Sequence, residues 1–412
     1  MIAYHEGVLH AGGVSLAAIA SAVGTPCYIY DLDRVGENVR RLQAAFPEAE
    51  IHYSLKANAN LALIRALVGM GCGLDAVSAG EIFRARRGGA RPDQIVFAGV
   101  GKTRAELEYA VGMGIGWINV ESSGEFRRLA AVAQAAGKHP RVALRLNPDV
   151  HADTHSYIDT GHAASKFGIA LDEAKAILAD ESLRTHLDIA GLHIHIGSQV
   201  GNATRTAEAL QAVLPLFEAH PFLHTLDLGG GFPVAYMGES VPSIETFAEA
   251  VRPLLRGRTI HLILEPGRYI AADVGVLLIT VQYLKPGGGD VACLAVTDGG
   301  MTELIRPALY GATHGVLPLY ERQGMADSTL IPTQIVGPVC ESADVLRARV
   351  ALHPLKEGDI LAVLHAGAYG AVMGSTYNAR PRPPEIVAEG GQWRIARRRE
   401  TWDDLVALEE GL

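Results

Sequence analysis

The sequence predicts an α/β protein in which a TIM-like (β/α)8 barrel is followed by an all-β domain. Two observations lead to this prediction. From residue 28 to about residue 270, short apolar runs alternate with amphipathic stretches, whereas later strand-like runs follow one another with Gly/Pro turns between them. Eight apolar runs with intervening helices over roughly 250 residues are typical of a (β/α)8 barrel.

The eight runs are rich in Val, Ile and Leu, as buried parallel strands are. They cover residues 51–55, 73–77, 95–98, 117–120, 142–146, 191–196, 225–228 and 260–264. Helical periodicity separates them, first at Val35, Val39, Leu42 and Phe46 and then over 61–70, 79–87, 104–111, 124–136, 171–178, 203–217 and 244–255. An open doubly wound sheet is the alternative, but no GxGxxG follows the first strand.

The all-β domain is predicted from the runs 274–284, 291–296, 333–339, 360–365 and 393–397. Residues 1–27 contain a predicted hairpin around Ala11-Gly12-Gly13, and we expect them to join this domain. The predicted division is therefore a barrel over 28–270 and a β domain of 1–27 and 271–412. Joined domains favour a site between them.

Composition excludes several classes of protein. With 36 Lys+Arg against 45 Asp+Glu the net charge is −9, which does not favour nucleic-acid binding. The four cysteines (Cys27, Cys72, Cys293 and Cys340) are scattered without a CxxC pair, which argues against a disulfide framework or a zinc site. No apolar run approaches the ~20 residues that cross a membrane. We therefore expect a cytoplasmic protein without a membrane partner.

Chemistry in a barrel of this type lies at the carboxyl ends of the strands. The residues at those positions that can carry chemistry are Lys56, Glu81, Arg145, Asn147, His193, His195, Ser198, Gly229, Gly230, Gly231, Glu265, Gly267 and Arg268. Each signal alone is modest, because a lone lysine is usually solvated and a glycine triplet is usually a turn. Here the triplet follows the seventh strand, where barrels often bind phosphate through backbone N–H groups.

The two histidines of the sixth strand leave a metal site open as an alternative. His193 and His195 are two residues apart and so point to the same face. A metal pair is compatible with that spacing, but the sequence shows no third ligand nearby, and a structural histidine is the more common role. We therefore expect no metal.

The set of residues suits pyridoxal phosphate. A lysine can bind the cofactor covalently, the glycines and Arg268 can hold its phosphate, and Glu265 can keep the pyridine nitrogen protonated. A class I aldolase also needs a lysine at a strand end and a phosphate site, but it needs no acid for a ring nitrogen.

Motifs in a fixed order then extend this interpretation over nearly the whole chain. They are Tyr53-Ser54-Leu55-Lys56-Ala57-Asn58, Ser165-Lys166-Phe167-Gly168-Ile169, residues 193–199, Gly229-Gly230-Gly231-Phe232, Glu265-Pro266-Gly267-Arg268-Tyr269, residues 304–311, residues 337–342 and Gly367-Ala368-Tyr369-Gly370. In them the chain resembles the diaminopimelate decarboxylases. These belong to the fold-type III pyridoxal-phosphate enzymes, which share a barrel of the alanine-racemase type and include ornithine decarboxylase.

The resemblance implies roles for the cofactor residues. Lys56 matches the lysine that holds the cofactor, His195 the imidazole stacked on its ring and Glu265 the partner of the pyridine nitrogen. The phosphate site is implied for Ser198, Gly229, Gly230, Gly231, Gly267 and Arg268. Tyr369 matches the tyrosine shared between phosphate and substrate.

The resemblance also implies the reaction and the substrate residues. The family decarboxylates meso-2,6-diaminoheptanedioate to L-lysine and CO2, the last step of lysine biosynthesis by the diaminopimelate pathway. Arg306 and Tyr310, with Arg268, match groups that hold the distal carboxylate. Glu341 matches the acceptor of the distal amine and Cys340 the general acid. In the family these last two come from the partner subunit, which implies a homodimer with shared active sites.

Three rival functions remain open at this point. A decarboxylase for ornithine, lysine or arginine should place an acid against a cationic substrate tail, whereas this chain offers Arg306. A racemase typically places an arginine at the ring nitrogen, where this chain has Glu265. A non-catalytic carrier of pyridoxal phosphate would have no use for the β domain. One departure from the family pattern is Thr302-Glu303, where Asn-Asp is expected.

Overall fold

The computed structural model describes residues 2–150, 166–322 and 329–410. Ser165, the first residue of one predicted motif, lies outside them. The chain divides into two compact units. The barrel unit comprises Asn38–Val234 and Ser240–Ile270, and the β unit comprises Met1–Glu37, Ala235–Glu239 and Ala271–Leu412.

The amino-terminal elements begin with a small antiparallel sheet. Its strands are β1 (Ala3–His5), β2 (Val8–Ala11) and β3 (Val14–Ser15). Strands β2 and β3 pair at Ala11 and Val14, which confirms the predicted hairpin. The next elements are α1 (Leu16–Val23), β4 (Cys27–Asp31) and α2 (Leu32–Ala45).

Among the described residues, eight parallel strands close into a barrel, which confirms the predicted fold class. They are β5 (Ala49–Ser54), β6 (Gly73–Ala76), β7 (Ile95–Phe97), β8 (Trp117–Val120), β9 (Arg141–Asn147), β11 (Asp188–Ile194), β12 (Thr225–Asp227) and β13 (His261–Leu264). The short β10 (Ile169–Ala170) pairs beside β9. Strand β13 pairs with β5 and β8 pairs with β9, and these two pairings complete the ring.

Helices alternate with the barrel strands. They are α3 (Leu61–Gly69), α4 (Ala79–Arg87), α5 (Arg104–Met113), α6 (Ser123–Ala136), α7 (Leu171–Ala179), α8 (Ala203–Ala219), α9 (Ile244–Leu255) and α10 (Arg268–Ala271). Polar side chains at the N-cap fix where several of these helices begin, because they accept a hydrogen bond from a free backbone N–H. Ser78 accepts from Glu81, and Thr103 and Glu106 form a reciprocal capping box. The loops at the carboxyl ends of these strands are therefore firmly anchored.

The barrel interior changes from apolar to polar along the strands. Trp117 and Ile263 belong to an apolar cluster that also contains Val96, Ala143 and Ala190. Two residues further along the same strands, on the same face, stand Asn119 and Glu265. A polar layer therefore lies above an apolar one, at the carboxyl end of the barrel.

The β unit is built on a mixed sheet. Its elements are β14 (Gly275–Pro286), β15 (Cys293–Thr297), α11 (Arg306–Tyr310), β16 (Val316–Pro318), β17 (Ile331–Val336), β18 (Val345–Leu352), β19 (Ile360–Val363), β20 (Glu385–Glu389), β21 (Gln392–Arg397) and α12 (Trp402–Val406). The order is β18-β17-β15-β14-β4-β20-β21, and β19 pairs with β14 and β16. All five predicted runs overlap a strand. Strands β4, β16, β18 and β20 were not predicted.

Candidate active site

Lys56 lies two residues beyond the end of β5. Its Nζ donates to Oδ2 of Asp75 on β6 at 3.0 Å, and the Ser54 hydroxyl donates to the same oxygen at 2.7 Å. Asp75 is fully buried, whereas the Lys56 side chain is 37% exposed. Burial and then the charge of Glu265 raise the pKa of Asp75, and Lys56 opposes them. The lysine amine is thus held by a buried carboxyl group while it stays accessible.

Glu265 follows β13 and is buried among polar groups of three other strands. His193 Nε2 lies 3.2 Å from Glu265 Oε2, and Asn119 Nδ2 donates to Glu265 Oε1 at 3.3 Å. Burial acts to raise the pKa of Glu265, but the charge and hydrogen bond of His193 outweigh burial, so the pKa lies below its ordinary value. Glu265 therefore carries a negative charge, and the buried His193 imidazole lies directly beside it.

Asp227, at the end of β12, takes the opposite protonation state. Burial and the neighbouring Glu265 charge raise its pKa well above the ordinary value. Its Oδ1 accepts from the Gly229 N–H at 2.9 Å, and its Oδ2 accepts from Asn119 Nδ2 at 3.1 Å. Two adjacent carboxylates repel each other, so one of the two carboxyl groups stays protonated. Asp227 is that neutral partner.

A possible third metal ligand, which the sequence did not show, is present beside His193. His193, Asp227 and Glu265 each offer a ligand atom within 4.8 Å of the others, and all three are buried. The sequence placed both carboxyl groups at strand ends but did not predict that they lie beside His193.

The glycine triplet brings bare backbone close to the site. Gly229 and Gly231 have φ of +67° and +94°, which favours glycine. A Cβ on Gly230 would overlap the Glu265 carbonyl oxygen, and one on Gly231 would overlap the Gly197 carbonyl oxygen. Other residues would therefore displace the segment.

His195 is fixed in one neutral tautomer. The Gly230 N–H donates to His195 Nδ1 at 3.1 Å, so the ring proton is on Nε2. Desolvation, followed by the charges of Arg145 and Lys56, lowers the pKa of His195 well below its ordinary value. The ring is therefore an uncharged surface beside the glycine segment.

Two further predicted phosphate ligands lie together. Arg268, the first residue of α10, donates from Nε to the Ser198 hydroxyl at 3.2 Å. Gly267 packs tightly, because a Cβ there would lie 3.0 Å from Ser54 Cβ and 3.1 Å from Ala57 Cβ. The structure thus brings together Lys56, His195, Ser198, Gly229, Gly230, Gly231, Glu265, Gly267 and Arg268 in the barrel unit.

The other predicted residues lie in the β unit. Arg306 is buried at the start of α11, and Tyr310 is half-buried at its end. Tyr369 is half-buried with a positive φ of 56°. Cys340 and Glu341 are exposed. The Tyr377 hydroxyl donates to Glu341 Oε1 at 2.6 Å.

Comparisons with known proteins decide the family. The family model for the pyridoxal-binding domain of pyridoxal-dependent decarboxylases matches residues 32–272. Diaminopimelate decarboxylase from Pseudomonas aeruginosa is 41% identical over 413 residues, which is 98% of each chain. The enzyme from Aquifex aeolicus is 40% identical over 98% of this chain and 96% of its own. The chain belongs to the diaminopimelate decarboxylase family.

A solved structure agrees with this assignment. Diaminopimelate decarboxylase from Helicobacter pylori complexed with L-lysine has a TM-score of 0.90 and 36% identity, over 96% of this chain and all of the other. The chain is therefore a pyridoxal-phosphate-dependent carboxy-lyase, as predicted. No helix in the described ranges has the length and apolar character needed to cross a membrane.

The barrel residues fit pyridoxal phosphate. An amine stands ready at Lys56, Glu265 offers a charged carboxylate, and close-packed backbone at the glycine triplet leaves no side chains in the way. The Ser198 hydroxyl and the Arg268 guanidinium add donors suited to a phosphate. Lys56 thus suits the aldehyde of the cofactor, Glu265 its ring nitrogen, and Ser198 and Arg268 its phosphate.

Sequence reasoning missed Asp75 and Asn119. Both are polar residues inside apolar strands. That pattern could have identified them, because a buried polar side chain needs a hydrogen-bond partner. Asn119 joins Asp227 to Glu265, and Asp75 holds Lys56. The partners became identifiable only when the barrel closed.

The departure at Thr302-Glu303 has a local structural role. The Glu303 carboxylate accepts from the Gly300 N–H at 2.7 Å and from the Thr302 hydroxyl at 2.9 Å. Both residues are buried. They brace the turn that leads into α11.

Proposed function

We propose that this chain decarboxylates meso-2,6-diaminoheptanedioate to L-lysine and CO2, the last step of lysine biosynthesis by the diaminopimelate pathway. One observation carries the proposal: the Ser54 hydroxyl bridges the Lys56 and Glu265 sites. It donates to the Asp75 oxygen that holds Lys56, and it lies 3.2 Å from the Glu265 carbonyl oxygen. The Lys56 amine and the backbone of Glu265 are thus linked through Asp75 and Ser54.

Pyridoxal phosphate, when bound, delocalises the electron pair that remains on the α-carbon as CO2 leaves. The barrel residues supply what this chemistry requires. Lys56 would hold the cofactor and be displaced from it by the substrate amine, while the Glu265 carboxylate would favour a proton on the ring nitrogen. His193 and Asn119 keep that carboxylate in position. The neutral His195 ring would lie against the cofactor without adding a positive charge.

The substrate residues favour a molecule with both a carboxylate and an amine at its far end. Arg306, Arg268 and Tyr310 suit the carboxylate, Glu341 suits the amine, and Tyr369 serves phosphate and substrate together. Holding the far end sets the bond that breaks in the correct orientation, which is a large part of the rate. A purely cationic tail would leave buried Arg306 facing like charge, which disfavours an ornithine or lysine decarboxylase.

Reprotonation of the α-carbon requires an acid, and we assign it to Cys340. Cys340 and Glu341 are exposed on this chain, which supports their use by a second copy. The assembly we propose is a homodimer in which each chain supplies Cys340 and Glu341 to the partner's site.

We further propose that the protein is cytoplasmic and that the barrel domain extends from residue 28 to residue 270. The four cysteines are unpaired, which is compatible with a reducing compartment.

Product analysis tests the proposed function. Purified chain is incubated with pyridoxal phosphate and meso-diaminoheptanedioate, and L-lysine and CO2 are measured, with Lys56→Ala as the matched control. We expect equal amounts of both products from the wild type and neither from the variant. Faster turnover of ornithine or free lysine would contradict the substrate assignment, and epimerised substrate without CO2 would indicate a racemase.

A further inference from the structure

A buried histidine in the β unit contacts the proposed carboxylate-binding arginine. His314 lies in the segment between α11 and β16 and is fully buried. Its Nε2 is 2.9 Å from Arg306 Nη1, and its Nδ1 is 2.8 Å from the Leu364 carbonyl oxygen. His314 thus connects the guanidinium to the backbone just after β19.

These two contacts fix the tautomer of His314. A guanidinium only donates, so Nε2 must accept the hydrogen bond from Arg306. A carbonyl oxygen only accepts, so Nδ1 must carry the ring proton and donate to Leu364. The ring is therefore neutral and offers a lone pair to Arg306.

An aromatic ring holds Arg306 from a second direction. Arg306 Cζ lies 4.6 Å from the centre of the Tyr236 ring. Tyr236 in turn meets the His314 ring edge to face, with centres 5.3 Å apart and planes at 85°. A guanidinium fixed by one acceptor and one aromatic face has few orientations left. Its remaining N–H groups then point in a set direction.

We propose that His314 is a positioning residue that, through the Arg306–Nε2 hydrogen bond, aims the guanidinium at the distal carboxylate of the substrate and so contributes to substrate choice. This inference rests on the proposed function, because Arg306 has that task only if the substrate carries a second carboxylate. Nothing in the sequence motif alone separates this role from ordinary burial of a histidine.

Two amide variants separate the two hydrogen bonds of His314. The side-chain amide of Gln reaches about as far as Nε2 and can still accept from Arg306, whereas that of Asn reaches only about as far as Nδ1 and can still donate to Leu364. His314→Gln and His314→Asn therefore form a matched pair. If His314 only fills space, the two variants should change ligand binding equally. If Nε2 orients Arg306, only His314→Asn should change it.

The measurement is ligand binding to the holoenzyme, followed by absorbance, with L-lysine and cadaverine as probes. L-lysine keeps the distal carboxylate and cadaverine lacks it. We expect His314→Asn to weaken L-lysine about ten-fold while cadaverine changes less than about two-fold, and His314→Gln to preserve the ratio of the two affinities. In an Arg306→Ala background, His314→Asn should add no further loss of that ratio.

Several outcomes would overturn the proposal. An unchanged affinity ratio in His314→Asn, an equal loss in both variants, or additive losses with Arg306→Ala would each do so. Thermal unfolding of each variant without cofactor shows whether it is folded. If His314→Asn is unfolded, the test rests on His314→Gln. A changed ratio of L-lysine to cadaverine affinity in His314→Gln would then overturn the positioning role of His314. Wild-type chain that forms no L-lysine from meso-diaminoheptanedioate would instead refute the proposed function.

Discussion

The barrel unit and the β unit present their functional residues in different ways. In the barrel, Glu265 and Asp75 are buried and each contacts several neighbours. In the β unit, Cys340 and Glu341 are exposed, whereas Arg306 is buried. The charges that control the cofactor are therefore fixed within one unit, whereas the proposed proton donor lies on the surface.

This difference has a physical reason. A carboxylate stabilises a nearby positive charge far better when solvent is excluded, but burial is tolerated only with partners in place. His193 and Asn119 provide those partners for Glu265. Cys340, which we propose to act in the site of a second chain, needs no such network in its own chain.

The largest effect should come from Glu265→Gln. The substitution removes the charge but keeps the shape, and we expect kcat to fall by roughly 10²–10³-fold because a preorganised charge is lost. Steady-state kinetics with meso-diaminoheptanedioate measures this, while cofactor absorbance shows that the site is filled.

Asp227→Asn is the matched control for that variant. Since Asp227 is the neutral partner, its amide analogue should cost less than about ten-fold in kcat. An equal loss in both variants would refute the assignment of charge to Glu265.

The next effect concerns the exposed residues of the β unit. Cys340→Ala should lower kcat by about 10²-fold, because a general acid is removed, while affinity for pyridoxal phosphate is unchanged. Cofactor titration and single-turnover kinetics measure the two quantities separately.

Mixed dimers sharpen this test. Inactive Lys56→Ala and Cys340→Ala chains, when combined, should recover part of the activity if each site uses two chains. Verified mixed dimers without activity would place Cys340 in the site of its own chain.

A smaller effect should follow from Gly231→Ala. The new Cβ would overlap the Gly197 carbonyl oxygen at a positive φ, so we expect affinity for pyridoxal phosphate to fall about ten-fold and stability by about 1–3 kcal/mol. Gly137→Ala is the control, because it also has a positive φ but no atom within 4 Å of the new Cβ. Equal cofactor affinity in both variants would count against a phosphate role for the triplet.

The smallest effect is a pH dependence at the other end of the barrel strands. His261 Nε2 lies 3.3 Å from Glu50 Oε1; that hydrogen bond raises the pKa of His261 and lowers the pKa of Glu50. A raised histidine pKa stabilises the fold below about pH 6.5, and a lowered carboxyl pKa stabilises it above about pH 4.3. The pair therefore stabilises the chain most between these values, and the contribution is lost on either side.

Urea unfolding of wild type and Glu50→Gln measures this contribution. Both side chains are substantially exposed, so solvent screening limits the difference to under about 1 kcal/mol near pH 5.5, and it should shrink near pH 8.5. A constant difference at both pH values would show that the ion pair is not responsible.

The sequence predicted the barrel well because local patterns specify it. The run 117–120 coincides with β8, and the other barrel runs differ from the strands by a few residues at their ends. In the β unit, β18 was missed because charged residues such as Arg347 and Arg349 interrupt its apolar pattern. Such a strand is specified by its pairing with β17 and not by its own composition.

The candidate site was predicted only in part, because its charges depend on distant partners. Lys56 and Glu265 stood out at strand ends, yet the pairing of Glu265 with His193 and the proton on Asp227 arise from closure of the barrel. The hydrogen bond between His314 and Arg306 likewise depends on a second hydrogen bond, from His314 to the carbonyl oxygen of Leu364, which lies fifty residues further along the chain. Short-range patterns carry no information on such contacts.

Chemical trapping of the cofactor tests whether Lys56 is the residue that holds pyridoxal phosphate. Reduction of the holoenzyme with borohydride fixes pyridoxal phosphate on the amine to which it is bonded, and peptide mass spectrometry locates it. We expect the label on the peptide that contains Lys56, and we expect it to be absent in Lys56→Ala. A label on Lys102 or Lys166 in the wild type, or one that survives in the variant, would contradict it.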